Sequence, residues 1–446
     1  MNDTISAIAT TEGTASIAIV RVSGKDALNI AYSITKSSNL TPRYAHLKSI
    51  YDSEDELIDR AIVIYFKAPN SFTGEDIVEF QCHGGVVIAN EILQATLKYG
   101  ARLANPGEFS KRAFLNGKID MSEAQAIAKL IETKSSDGAR VLARQLKGEL
   151  RDFVNSARDK IIRAIAHSEV MIDYAQEDIP QNLTEELKSQ LISLQQRFIS
   201  IVEISQRRRG LIEGFEVAII GKPNVGKSSL LNAMLSYDRA IVSNIAGTTR
   251  DTIQEQLRIG SHLIRIIDTA GIREGRDEIE QIGIKRSLEA IKSADIIIAL
   301  FDSSREFDYE DSKIIQLLNQ LKTKEIIAVL NKCDLKIEFE IEYIEYYNPI
   351  KLSTKKSIEP LIERIKLFLD TMSDTKEPIL ISQRQIEAVQ SASNAINEAI
   401  EPLENGELEF FSYHLKEAIE FLSTITEPFR SEEILDSMFG EFCLGK

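Results

Sequence analysis

Residues 216–235, EVAIIGKPNVGKSSLLNAML, constrain the fold of this chain more than any other stretch. A short run apolar on both faces stops at Gly221, a glycine-rich loop follows, and helix-forming residues continue from Ser229. Gly221–Ser228 has the spacing G-x-x-x-x-G-K-[ST] in its required setting, between a strand and a helix. The backbone N–H groups of Asn224, Val225, Gly226, Lys227, Ser228 and Ser229 are expected to surround phosphates at the helix N-terminus. Lys227 adds a point charge near the β and γ phosphates, and the Ser228 hydroxyl is a candidate Mg²⁺ ligand. Further apolar runs, HLIRIID, DIIIALFD and EIIAVLN, alternate with helical stretches. Strands apolar on both faces and separated by helices predict a parallel sheet covered on both sides.

Four companion segments sharpen the chemistry. DTAG (268–271) follows the strand LIRII, so Asp268 is expected to hold Mg²⁺ through water and the Gly271 N–H to bond a γ-phosphate, with Thr269 and Ala270 between them. NKCD (331–334) ends the strand EIIAVL. There the Asp334 carboxylate can accept both the N1–H and the exocyclic N–H of guanine, a pair adenine lacks. Asn331 and Lys332 complete that loop, and Cys333 is read as its small buried neighbour. Ser353, Thr354 and Lys355 follow a last strand and are expected against the base. In IAGTTRD (245–251) Thr249 is the candidate second Mg²⁺ ligand, and Ser243, Asn244, Ile245, Ala246, Gly247 and Thr248 lead into it. The ordered set predicts GTP binding and disfavours an ATP-dependent enzyme.

Three textures divide the chain as a whole. Residues 1–118 mix apolar runs with Gly, Pro and Asn turns, an α+β pattern. Residues 119–210 and 375–446 are amphipathic and helical, the second part broken near Asn405-Gly406, and Ser122 with Gln125 is a candidate capping pair. The economical arrangement is a discontinuous helical domain with an α/β domain, 211–374, inserted between its halves. A net charge of −15 argues against nucleic-acid binding over the whole surface, and QRRRG (206–210) reads as a solvated linker. Cys82, Cys333 and Cys443 form neither a disulfide framework nor a zinc pattern. No signal peptide or membrane-spanning run is visible, so a cytoplasmic protein is expected.

The nucleotide motifs resemble those of the translation-factor-like GTPases. Within that class, an aliphatic residue after DTAG, here Ile272, marks members that lack the usual water-orienting Gln. NSFTGEDIVEFQCHGG (70–85), NPGEFSKRAFLNGKIDMSEAQAIAKLI (105–131) and the terminal FCLGK (442–446) are similar to the MnmE (TrmE) tRNA-modification GTPases over essentially the whole chain. The resemblance implies a multidomain α/β protein: an N-terminal α+β folate-binding and dimerisation domain, an all-α helical domain and an inserted Ras-like P-loop G domain. It implies a homodimer that works with the FAD-dependent partner MnmG (GidA). Together they place an aminomethyl or carboxymethylaminomethyl group at C5 of the wobble uridine of certain tRNAs, using a one-carbon unit from a tetrahydrofolate (5,10-methylene or formyl).

Residue by residue, the resemblance puts Arg21, Glu79, Lys118 and Lys446 around the folate and gives Cys443 a functional part near the one-carbon and tRNA chemistry. It implies K⁺ in place of an arginine finger, with Asn224, Ser243, Ile245 and Thr248 as ligands and facing G domains that dimerise around it. Glu280 matches the catalytic glutamate and would hold the attacking water, with Glu274 and Glu278 as rivals. Two positions depart from the family pattern: the turn TTEGTAS (10–16), where a Pro-Pro-Gly turn is common, and Cys82, where Gly often precedes the His. His83 is as compatible with a packed turn residue as with a ligand. The alternative function is a regulatory ribosome-assembly GTPase switch without one-carbon chemistry.

Overall fold

The computed structural model describes residues 3–11, 13–173, 181–239, 255–267, 291–321, 324–373, 377–427, 432–440, 442 and 445. They fall into two compact units. The first comprises Met1–Ala128, Leu146–Asp173 and Leu408–Lys446; the second comprises Lys129–Gln145 and Tyr174–Glu407.

In the first unit, β1 (Ile5–Ile8), β2 (Ile17–Ser23), β3 (His46–Tyr51), β4 (Leu57–Phe66), β5 (Ile77–His83) and β6 (Arg102–Leu103) form one sheet in the order β3-β4-β5-β2-β1-β6. Alternation along β2 and β5 sends Val20, Val22, Val78, Phe80 and Cys82 to one face. There they pack with Ile30 and Ile34 of the helix Ala27–Thr35 and Ile92 of the helix Val86–Lys98. The opposite face presents Arg21 and Glu79, adjacent in the β2–β5 register. Cys82 is therefore a core residue turned away from that pair. Its thiol donates to the Ala18 carbonyl at 3.4 Å, and burial pushes its pKa up.

The helix Met121–Glu132 starts with a reciprocal cap, but the residues differ from the expected Ser122 and Gln125. Asp120 Oδ1 accepts from the Glu123 N–H and Glu123 Oε2 accepts from the Asp120 N–H, each at 2.9 Å. Ser122 lies inside the first turn and donates to Asp120 Oδ1. The helix thus begins two residues earlier than its first hydroxyl suggests, because a carboxylate pair spaced by three closes the same box.

In the second unit, β7 (Phe215–Gly221), β8 (Glu255–Ile259), β9 (His262–Ile267), β10 (Ile296–Asp302), β11 (Glu325–Asn331) and β12 (Ile350–Lys351) are ordered β12-β11-β10-β7-β9-β8. All neighbours are parallel except the hairpin β8–β9. Every residue of β10 is buried, as a central strand covered on both faces requires. The helices Lys227–Arg239, Tyr309–Asn319 and Glu359–Ser373 belong to this α/β region. The QRRRG run is not a linker: the helix Gln181–Arg207 continues into it, and the short helix Gly210–Glu213 begins with its buried glycine. Among the described residues, no helix is long and apolar enough to cross a membrane.

Candidate functional site

β7 lies between β9 and β10, and the loop leaving it opens at the carboxyl end of the sheet, where parallel α/β folds place ligands. The helix Lys227–Arg239 starts there, with Ser228 and Ser229 exposed in its first turn. Two strands away, β11 ends at Asn331, whose side chain is buried and ties two loops together. Its Nδ2 donates to the Val225 carbonyl at 2.8 Å, and its Oδ1 accepts from the Thr354 N–H at 3.0 Å. Segments more than a hundred residues apart in sequence thereby share one amide. Gly226, at φ +107°, allows this: a Cβ there would stand 2.4 Å from Asn331 Nδ2.

Lys332 also bridges. Its Nζ donates to the Asn224 carbonyl at 2.8 Å and to Asp302 Oδ2 at 2.6 Å. Burial alone would raise the Asp302 pKa, but hydrogen bonds from Lys332 and Ser304 outweigh it and hold the carboxyl below its usual range. Nothing in the linear pattern singled out Asp302; the signal was its place at the end of β10, opposite Asn331 in the parallel register. Asn224 adopts φ +63°, a left-handed conformation that asparagine tolerates better than most residues. Lys227 Nζ donates to the Gly221 and Lys222 carbonyls, both at 2.7 Å. Lys222, also missed in the sequence, reaches Asp308 and Asp311 at 2.7 Å and pins the loop to the start of the helix Tyr309–Asn319.

Asp334 is exposed beside Ser353. A hydrogen bond from the Ser353 side chain, then the Asp334 backbone amide and, more weakly, Lys356 and Lys355, hold its carboxyl below the usual range. An ionised carboxylate only accepts hydrogen bonds, which suits the donor edge of guanine. Cys333 is half-buried; its N–H donates to the Leu352 carbonyl and its thiol to the Leu330 carbonyl, both at 3.1 Å, a packing role. The structure thus brings together Asn224 to Ser229, Asn331, Lys332, Asp334 and Ser353 to Lys355. Ser243, Asn244, Ile245, Ala246, Gly247, Thr248, Thr249, Asp268, Thr269, Ala270, Gly271 and Glu280 lie outside the described residues, as do Cys443 and Lys446.

In the first unit, Arg21 and Glu79 form an ion pair at 2.9 Å. The guanidinium lies 5.6 Å from the centroid of Phe109 and 5.9 Å from that of Phe72. A carboxylate and a cation against aromatic walls are compatible with a flat, donor-rich heterocycle. Lys118 is an exposed residue on the loop after the helix Glu108–Leu115, its side chain bordering Gly74. The Thr73 next to that glycine is held by Ser23 Oγ at 2.8 Å and by Asn116, which donates to its carbonyl at 2.7 Å. His83 is a surface residue paired with Asp59 at 2.8 Å. The 10–16 turn is anchored by the Ala15 N–H on the Gly84 carbonyl at 3.0 Å and by the Thr10 hydroxyl, which accepts from the Ile19 N–H at 3.2 Å.

The parallel sheet, its phosphate loop and the carboxylate of the base loop define a P-loop GTPase. A family model described as the GTP-binding protein TrmE N-terminus matches residues 4–118, and one for the MnmE helical domain matches residues 121–443. Three relatives each bear the name tRNA modification GTPase MnmE. That of Sulfurovum sp. is 62% identical over 446 residues, covering 100% of this chain and 99% of its own. Those of Sulfurimonas denitrificans and Nitratiruptor sp. are each 57% identical, with the same coverage. The chain belongs to the MnmE (TrmE) family of tRNA modification GTPases. Relatives named for tRNA modification and matched over 99% of their own length favour that family over the regulatory ribosome-assembly alternative.

Proposed function

We propose that this chain is a cytoplasmic homodimer that hydrolyses GTP while it modifies tRNA with an FAD-dependent MnmG (GidA) partner. The product carries an aminomethyl or carboxymethylaminomethyl group at C5 of the wobble uridine, built from a tetrahydrofolate one-carbon unit. The observation that carries the reading is the coexistence, in one chain matched end to end by the family, of the Asn331-bridged nucleotide site and the Arg21–Glu79 pair against two aromatic rings. In this reading the domains are 1–118 for folate and dimerisation, 119–210 with 375–446 as the helical part, and 211–374 as the G domain.

The residues divide the work. Lys227 exchanges two backbone carbonyls for phosphate oxygens, so little new desolvation is needed when nucleotide arrives. Ser228 and Thr249 would hold Mg²⁺; Asn224, with Ser243, Ile245 and Thr248, would hold K⁺. The exposed hydroxyl of Ser228 and the exposed, left-handed Asn224 fit those tasks. When bound, the cations supply positive charge where phosphoryl transfer develops negative charge. Glu280 would orient the attacking water, the task Ile272 cannot perform. Arg21, Glu79, Lys118 and Lys446 would bind folate, and Cys443 would act beside it.

Mass spectrometry of wobble uridines from cells lacking this chain should show the modification lost. The wild-type gene should restore it, and Cys443→Ser should not. Unchanged uridines on deletion would refute the reading. For hydrolysis, the rate in KCl should exceed that in NaCl at equal ionic strength by about 100-fold or more, the scale of losing one charge-stabilising contact. Equal rates would remove K⁺ from the site.

A further inference from the structure

The helix Ser136–Gln145 grips the GTP-binding α/β region at three places, and we infer that it is the mount through which the nucleotide state is passed out of that region. The inference rests on GTP binding alone and is independent of the folate and wobble-uridine chemistry. The first grip is on the chain coming into β7. Gly138 sits where a Cβ would lie 2.5 Å from the Leu211 carbonyl oxygen. Glycine is a poor helix former, so its use here follows from this close backbone approach.

The second grip is on the tip of the β8–β9 hairpin. The Ser136 N–H and the Ser135 hydroxyl donate to the Ser261 carbonyl at 3.3 and 3.2 Å, and the Ser261 hydroxyl donates to Asp137 Oδ2 at 2.5 Å. The next residue, His262, is fully buried. Its Nδ1 lies 3.4 Å from Asp137 Oδ2 and its Nε2 is 2.9 Å from Asp370 Oδ1 on the helix Glu359–Ser373. These carboxylates face the imidazole from two helices, while Phe215 of β7 contributes an apolar ring at 6.1 Å. Arg140 holds the other Asp137 oxygen at 2.8 Å. The third grip is on the outgoing chain: Gln145, itself buried, donates from Nε2 to the Ile379 carbonyl at 2.6 Å.

Incoming chain, outgoing chain and hairpin therefore meet on one ten-residue helix. The hairpin matters because β9 begins at His262 and ends at Ile267, one residue before DTAG in the sequence. A displacement of β9 along its axis cannot occur without moving His262 between its two carboxylates or dragging the helix with it. Packed contacts of this kind, here a buried imidazole hydrogen-bonded through Nε2 to Asp370 with Asp137 on its other side, hold discrete arrangements and transmit shifts between packed elements. Asp137 and His262 are positioning residues in this scheme.

Hydrogen exchange on the full-length protein tests it, with GDP and with a non-hydrolysable GTP analogue, and with nucleotide affinity measured on the same samples. Exchange of the 136–145 amides should differ between the two nucleotides by about fivefold or more, the lower end of ordinary coupling between sites. In Asp137→Asn the difference should fall below about twofold while affinity for both nucleotides changes less than about threefold. Ser261→Ala, a milder cut at the same junction, should reduce the difference in the same direction. Wild-type exchange that does not respond to nucleotide would overturn the inference, as would a full response retained in either variant. Failure of the protein to bind nucleotide would register separately, as lost affinity.

Discussion

Replacing Asp334 by Asn should lower GTP affinity on the order of 100-fold and raise affinity for xanthosine triphosphate. The carboxylate is exposed, held ionised beside Ser353, and accepts hydrogen bonds only. Guanine offers it two donors, and hydrogen bonds to an ionised acceptor are stronger than those between neutral groups. Asparagine keeps one acceptor but sets an NH₂ group against the exocyclic amine of guanine. Xanthine carries a carbonyl at that position, so the same NH₂ gains a partner. Competition binding with the two triphosphates on the full-length chain would measure the reversal. Undiminished GTP binding would mean that another residue reads the base.

Gly226→Ala should cost still more, on the order of 1,000-fold in affinity for either GDP or GTP, by combining two effects. The backbone at φ +107° is strained for any residue with a Cβ, at roughly 1–3 kcal/mol. The added methyl would also stand 2.4 Å from Asn331 Nδ2, which has no room to retreat because the side chain is buried and bonded at both ends. Moving it breaks the bonds to Val225 and Thr354 and strands a buried amide, which costs about 1–3 kcal/mol more. Fluorescent nucleotide titration would give the affinity. A variant that binds GDP as wild type would show that Asn331 does not couple the phosphate loop to the base loop.

Asp334 and Gly226 differ in how far the linear sequence reveals their roles. Asp334 stands in a motif whose neighbours in sequence are its neighbours in space, and its chemistry follows from its charge. Asn331 also stands in that motif, but its bond to Val225 spans 106 positions and depends on β7, β10 and β11 being adjacent and parallel. Asp302, Lys222 and His262 left no trace in the linear pattern, because each acts by meeting groups from other elements. The capping pair illustrates the opposite limit. Ser122 and Gln125 satisfy the spacing of a capping box, and so do Asp120 and Glu123; only the backbone shows which pair starts the helix. Cys82, a departure from the family pattern, turns out to face the core, because strand alternation places it opposite Glu79.

Short-range order along the chain settled the class of this protein. Glycines, lysines and carboxylates at fixed offsets after apolar runs specify a phosphate loop, a base loop and the parallel sheet between them, since those tasks are performed by contiguous backbone. Which side chains hold the loops in place was decided by packing alone. Lys332 on Asp302, Lys222 on Asp308 and Asp311, and His262 between Asp137 and Asp370 are pairings across 30 to 125 positions. Such contacts come into being when apolar strands and helices bury one another, and buried polar groups must then find partners wherever the fold has brought them.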